Sequence, residues 1–200
     1  MSEIITVSRE FGSGGRELGK RLADALGYAY YDREIVTVLA EETGMDPNYL
    51  DHRLESGMLS SYTIHYAQSF TVVPDTGTNI LALQTRLIRD LASRGKCVIV
   101  GRAADALLED EHPFRLFVFA DQESKLARCR SRAPEDEHLS DKEMLRQMKR
   151  IDKSRAEFHD IIATTPWGDR LSYDLGVNTS GINIKKIVPA VAEYYKNWAQ

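Results

Sequence analysis

The chain has 200 residues, 42% hydrophobic and 28% charged, with a formal net charge of −4. That length buries a substantial single core, and the mild acidity argues against a nucleic-acid footprint spread over the whole surface. No apolar run approaches the ~18 residues that a membrane-spanning helix needs. The first residues lead straight into a strand without a basic or apolar leader, so no export signal is expected. Cys97 and Cys129 lie far apart and have no histidines at zinc spacing, which reads as two reduced thiols of a cytoplasmic protein.

Ile4–Ser8 is a short apolar run rich in β-branched residues and is predicted as the first strand. It enters a loop with glycine at 12, 14 and 15, and an amphipathic helix begins at once, its Leu18, Leu22, Ala25 and Leu26 recurring until Gly27. Strand, glycine loop and helix N-terminus together make a place to hold phosphate. The glycines permit positive φ, let N–H groups turn inward, and let a ligand approach without a Cβ in the way. A Walker A loop reads G-x-x-x-x-G-K-[S/T], whereas this loop ends Gly15-Arg16-Glu17, with neither the lysine nor the hydroxyl. Ser13 and Arg16 favour an anion, Arg16 through a two-pronged guanidinium. Glu17 either reaches a metal or sits favourably on the helix dipole. The competing reading of the loop is a tight strand-to-helix turn that binds nothing.

A second strand is predicted at Ala29–Tyr31, followed by Asp32-Arg33-Glu34. Ligands of open α/β sheets sit outside the carboxyl ends of strands, which brings Asp32 and Arg33 to the crevice. Asp32 equally fits the N-cap of a helix over Glu34–Glu42 that ends near Gly44. Asp46-Pro47 reads as the cap and first residue of a further helix. Gly57–Gly77 fits no pattern. Its Tyr62, Tyr66, Phe70, Val72 and Val73 suit either a cover over the substrate site or a self-association surface, with a homodimer as the candidate assembly.

Asn79–Arg94 reads as a helix ended by Gly95, and Cys97–Val100 as a strand buried on both faces. Arg102 leaves that strand at the expected site edge, with a surface ion pair to Asp105 or Glu109 as the alternative. Leu116–Phe119 is the fourth strand. Arg128, Arg130 and Arg132 follow, then a helix over Ser140–His159 carrying Arg146, Lys149, Arg150, Lys153 and Arg155. Arg146, Arg150 and Lys153 share one helical face. Such faces are usually just solvated, yet phosphoryl transfer needs cations, and a mobile basic helix closing over the loop would also exclude water. Strand Asp174–Asn178 and helix Ile182–Trp198 close the chain. His52, His65, His112, His138 and His159 form no catalytic pattern and read as structural or exposed. The alternation predicts one α/β domain over residues 1–200 with a mostly parallel five-stranded sheet, a peripheral insert near 57–77 and a basic helical lid near 128–160.

In this order the segments resemble the cytidylate kinase-like family of P-loop proteins, relatives of nucleoside monophosphate kinases. The residues that carry the likeness are Ile5-Thr6-Val7-Ser8-Arg9-Glu10-Phe11-Gly12-Ser13-Gly14-Gly15-Arg16-Glu17, Tyr31-Asp32-Arg33-Glu34-Ile35 and Val98-Ile99-Val100-Gly101-Arg102-Ala103-Ala104-Asp105. Ile151-Asp152-Lys153-Ser154-Arg155, Trp167-Gly168 and Tyr173-Asp174-Leu175 continue it. The resemblance implies a three-layer α/β/α P-loop kinase fold and ATP-dependent phosphate transfer to a nucleoside monophosphate such as CMP or dCMP. Its partner would be a small nucleotide, not a nucleic-acid polymer or a membrane. It implies Gly12, Ser13, Gly14, Gly15, Arg16 and Glu17 around the ATP phosphates and Asp32, Arg33 and Arg102 toward the acceptor. Arg16, Arg150 and Arg155 would act on the transferred phosphate, and Mg2+ would arrive with ATP instead of in a protein metal site. The chain departs from cytidylate kinases at Gly15-Arg16-Glu17, where they carry lysine and threonine, and at Gly101-Arg102-Ala103, where they read Gly-Arg-Asp. Their CMP-binding insert is not recognisable. Two alternatives follow: a nucleotide-binding sensor without efficient turnover, and a kinase of a non-nucleotide acceptor.

Overall fold

The computed structural model describes residues 2–32, 34–48, 50, 76–133 and 139–200. Five parallel strands, β1 (Ile4–Arg9), β2 (Ala29–Tyr31), β3 (Cys97–Val100), β4 (Phe114–Phe119) and β5 (Leu175–Asn178), form one sheet in the order β2-β3-β1-β4-β5. The helices of the described residues are α1 (Gly15–Leu26), α2 (Glu34–Thr43), α3 (Thr76–Ser93), α4 (Ala104–Leu107), α5 (Gln122–Arg132), α6 (Asp141–Ile162) and α7 (Ile184–Trp198). None of them is long and apolar enough to cross a membrane.

Alternate residues of each strand enter opposite cores, as a period of two requires. Ile4, Cys97 and Ile99 pack with Ile35, Leu39, Ile88 and Leu108 of the α2, α3 and α4 side. Ile5, Val7, Val98 and Val100 pack with Leu18, Leu22, Val188 and Tyr195 of α1 and α7. The sheet is thus the middle layer of three, which is the expected α/β/α P-loop kinase architecture. The chain goes first to one side of β1, through β2 and β3, and then to the other, through β4 and β5. The end of β1 is therefore the switch point where an open parallel sheet opens a crevice.

Most element boundaries fall within three residues of the pattern-based expectation, and the differences have local causes. β4 begins at Phe114, two residues early, because Arg115 breaks the apolar run while its backbone N–H donates to Asp174 Oδ2 at 2.7 Å. The long helix starts after Ser140, whose hydroxyl and the Glu143 side chain form a capping box. It runs to Ile162, one turn beyond His159. The expectations for residues 57–75, including the aromatics proposed as a dimer surface, lie outside the described residues.

Phe114 anchors the α7 side of the core, with ring centroids 5.3 Å from Tyr195 and 5.0 Å from Trp198. It is fully buried. Phe114→Ala is expected to cost about 3–5 kcal/mol of unfolding free energy. Urea denaturation followed by tryptophan fluorescence tests this, and a change in midpoint without a change in slope is the expected form.

Candidate active site

The loop between β1 and α1 is held open by close contacts. Gly14 is the N-cap of α1 with φ 84°, and no side chain caps it. The first turn therefore keeps amides without intrahelical acceptors, at the positive end of the helix dipole. A Cβ on Gly15 would stand 2.5 Å from Arg9 Cβ and 3.2 Å from Val118 Cβ, so only glycine fits. A cavity of about 350 Å³ opens over this turn, lined by Gly12, Gly14, Gly15, five arginines (Arg9, Arg16, Arg128, Arg132, Arg155) and a single acid, Glu10. Glycine backbone, helix N-terminus and guanidinium groups together suit a polyphosphate.

Several of these cations have anionic partners. Arg16 reaches Asp32 with two prongs, Nη2 to Oδ1 at 3.2 Å and Nε to Oδ2, and the Asp32 side chain is only 7% exposed. The Tyr30 hydroxyl also donates to Asp32, at 3.4 Å. Burial, reinforced by the Asp32 charge, pushes that phenol above its ordinary range. Arg132 pairs with Glu17, which also accepts from Arg21 at 2.8 Å. Arg128 donates to the carbonyls of Gly12 and Ser13 at 3.4 Å and of Ile182 at 3.2 Å, and burial pulls its guanidinium below the usual arginine value.

On the lid side, Asp152 accepts the Phe11 N–H at 2.6 Å and Arg155 Nη1 at 3.4 Å. Arg155 also donates to the Arg9 carbonyl at 3.2 Å and lies over the Phe11 ring. Lys125 sits between Glu10 at 3.0 Å and Asp152 at 3.9 Å. Burial raises the Asp152 carboxyl above its ordinary value, and the Phe11 amide, Arg155 and Lys125 oppose that rise.

Across β1, the turn after β3 takes three left-handed residues in a row, Gly101, Arg102 and Ala103. The two non-glycine members cost roughly 1–2 kcal/mol each, a strain of the kind that clusters at binding sites. Arg102 is 5% exposed and therefore not a surface side chain, and its carbonyl accepts from Gln84 at 3.3 Å. It lines a smaller cavity with Arg9, Arg155 and His159. Next to it, Asp105 accepts from Ser8 at 3.3 Å and meets His159 Nε2 at 3.0 Å.

The structure thus brings Gly12, Gly14, Gly15, Arg16 and Arg155 to one cavity, with Asp32 attached through Arg16 and Arg102 beyond Arg9. Two loop side chains turn elsewhere, Ser13 to the Glu10 carbonyl at 2.8 Å and Glu17 to its two arginines. Arg150 is exposed in an open groove with Arg146 that adjoins the cavity through Gln147, and it does not line the cavity itself as Arg155 does. Arg33 lies outside the described residues. The sequence assigns no role to Arg9, Lys125 or Asp152, although Arg9 and Asp152 lie in segments that carry the family resemblance. Spacing did carry a signal for Asp152, which stands three residues before Arg155 on one helix. Among the described residues no three acidic, histidine or cysteine side chains converge as a metal cage.

A model of the cytidylate kinase-like family matches residues 4–181. An uncharacterised protein from Eubacterium ventriosum, known as a crystal structure, is 25% identical, with a TM-score of 0.70 and 96% of each chain covered. The shikimate kinase from Acinetobacter baumannii, solved with shikimate, is 15% identical with a TM-score of 0.52, covering 98% of this chain and 94% of that one. The shikimate kinase from Bacteroides thetaiotaomicron is 14% identical with a TM-score of 0.52, covering 96% and 98%. At that identity the shikimate kinases share the fold. No curated protein matches.

The raised carboxyl of Asp152 makes a prediction with a definite sign. A folded-state value above the ordinary 3.8 means the native protein holds this proton more tightly than the unfolded chain. The contribution to stability is full below 3.8 and is lost as pH rises through the raised value. Asp152→Asn keeps an acceptor for Phe11 and removes the titration. Denaturation at pH 4 and pH 7 should show the variant gaining on the wild type at the higher pH; an unchanged difference contradicts the assignment.

Proposed function

The chain belongs to the cytidylate kinase-like family, and on that premise we propose that it transfers the terminal phosphoryl group of ATP to a nucleoside monophosphate of the CMP or dCMP type, or to a related small acceptor. The observation that carries this reading is the glycine-lined cavity at the switch point of the sheet, with five arginines in its wall. The donor set fits the group: a cradle that a Cβ on Gly15 would fill, a helix N-terminus and guanidinium forks are what a triphosphate needs. Gly12, Gly14 and Gly15 would hold the phosphates through backbone amides. When bound, ATP would supply the activated phosphoryl group, and Mg2+ arriving with it would help neutralise the charge that builds during transfer.

The protein's part is then positioning and charge stabilisation. Arg155, on the helix that crosses the loop, takes the lid role from the cavity wall, and Arg150 would join it from the adjoining groove. Arg102 faces the acceptor side and Asp32 orients Arg16. Ser13 and Glu17 shape the loop through their internal partners. A reaction that consumes ATP and a small nucleotide fits the cytoplasm. A second reading, a nucleotide sensor with little turnover, is favoured by one observation: Asp32 already engages Arg16 with two prongs.

A thermal-shift panel of nucleotides with and without Mg2+, followed by ADP release with each monophosphate, separates the two readings. Binding with no acceptor-dependent ADP release supports the sensor, and no shift with any nucleotide removes both. Charge-assisted hydrogen bonds contribute about 1.5–3 kcal/mol. Arg16→Ala and Arg155→Ala are therefore each expected to weaken triphosphate binding and turnover by about tenfold to a hundredfold.

A further inference from the structure

We propose that Arg9 supplies the cation that a Walker A loop carries on its lysine, the loop having exchanged its first glycine for arginine and its lysine for glycine. This rests on the kinase reading above and assigns a residue to it that the sequence pattern passed over. The motif can be laid on the chain in two registers. With Gly15 as the second glycine, the lysine position is Arg16. With Gly14 as the second glycine, the first-glycine position is Arg9 and the lysine position is Gly15.

The geometry points to the second register. Gly14 is the left-handed N-cap and α1 begins at Gly15, where a strand-loop-helix phosphate site starts its helix. The residue at 16 is directed to Asp32. The two exchanged positions are also sterically complementary: the space a side chain on Gly15 would need is filled by Arg9, with Cβ at 2.5 Å and Cγ at 3.1 Å from the added atom. Arginine at 9 and a side chain at 15 exclude each other. Either end of the loop can bear the cation, but not both.

Arg9 also ends where a transfer cation is needed. Its side chain crosses from the loop to the turn after β3, where its guanidinium lies against Gly101. Arg9 is 8% exposed and lines both the donor cavity and the smaller cavity shared with Arg102 and Arg155. A guanidinium set between donor and acceptor sides, in a water-poor place, stabilises charge on a phosphoryl group passing between them. The lysine of a Walker A loop does this from the helix start; Arg9 would do it from the strand end.

The test uses the whole chain, calorimetric titration with ATP, AMP and inorganic tripolyphosphate, and ADP release. Arg9→Gly is expected to lose about tenfold to a hundredfold in tripolyphosphate and ATP affinity, with a smaller loss for AMP, which lacks the polyphosphate. Gly15→Lys alone should lower the melting temperature, because the new side chain meets Arg9. The double variant Arg9→Gly with Gly15→Lys should recover at least tenfold of the lost affinity and part of the turnover. If Arg9→Gly does not fold, Arg9→Met, which keeps the stem and drops the charge, should show the same loss. Arg9→Lys should keep most of the binding. Tripolyphosphate affinity unchanged in a folded Arg9→Gly or Arg9→Met overturns the proposal, as does a folded double variant no better than Arg9→Gly. In both cases wild-type ATP binding leaves the kinase reading intact; a wild type that binds neither ATP nor tripolyphosphate overturns both.

Discussion

The rest of the site depends on the close approach of α1 to the end of β1. Gly15 brings the helix start within a methyl group's distance of Arg9 and Val118, and Gly14 rests on the Ile184 side chain of α7. Larger residues here would push the helix N-terminus off the sheet and move its amides away from the crevice. The same approach aligns Leu18 and Leu22 with Val98 and Val100, so seating the helix and forming the phosphate cradle are one packing event. Dipole, amides and core are set together by residues without side chains.

The charges around this cradle fall into two layers with different energetics. Arg16 and Arg132 are about half exposed, at 44% and 54%, and meet Asp32 and Glu17 at the rim. The Arg132–Glu17 pair is of the exposed kind that contributes about 0–1 kcal/mol, whereas Asp32 is nearly buried and would lose its guanidinium partner if Arg16 turned to a ligand. Lys125, at 12% exposed between Glu10 and Asp152, belongs to the inner layer. Its three members are partly buried, so salt screens their pairing less than that of the exposed rim. Arg132 can exchange partners with a ligand while the inner network holds the loop.

Much of this was legible in the sequence. The strands and helices followed from hydrophobic period and glycine stops, because those patterns reflect burial on the two faces of a parallel sheet. The start of β4 was hidden by Arg115, an ion-pairing residue inside an apolar strand. Within the site, the glycines and Arg16 were visible but the register of the loop was not, since two registers fit the letters and only the contact between Arg9 and Gly15 separates them. Helical period correctly grouped Arg146, Arg150 and Lys153 on one face. Which face of α6 meets the loop is a tertiary matter, and the side that does so carries Asp152 and Arg155.

These contacts also explain how a loop with several glycines keeps one shape. Ser8 is held by Asp105, the Arg9 carbonyl by Arg155, Glu10 by Lys125 and the Phe11 amide by Asp152. Farther along, the carbonyls of Gly12 and Ser13 accept from Arg128, and the Ser13 carbonyl accepts the Thr179 hydroxyl at 2.6 Å. Every residue from 8 to 13 is thus tied to an element distant in sequence. Glycine lowers the steric cost of the loop but raises the entropy of the unfolded chain, and these ties offset that entropy during folding, before any ligand arrives. A phosphate bound as proposed would meet a preorganised cradle, and its binding energy would not be consumed in ordering the backbone. Because α6 supplies Asp152 and Arg155 to the first half of the loop, and α5 supplies Arg128 to the second, a displacement of either helix must change the geometry of the cradle itself.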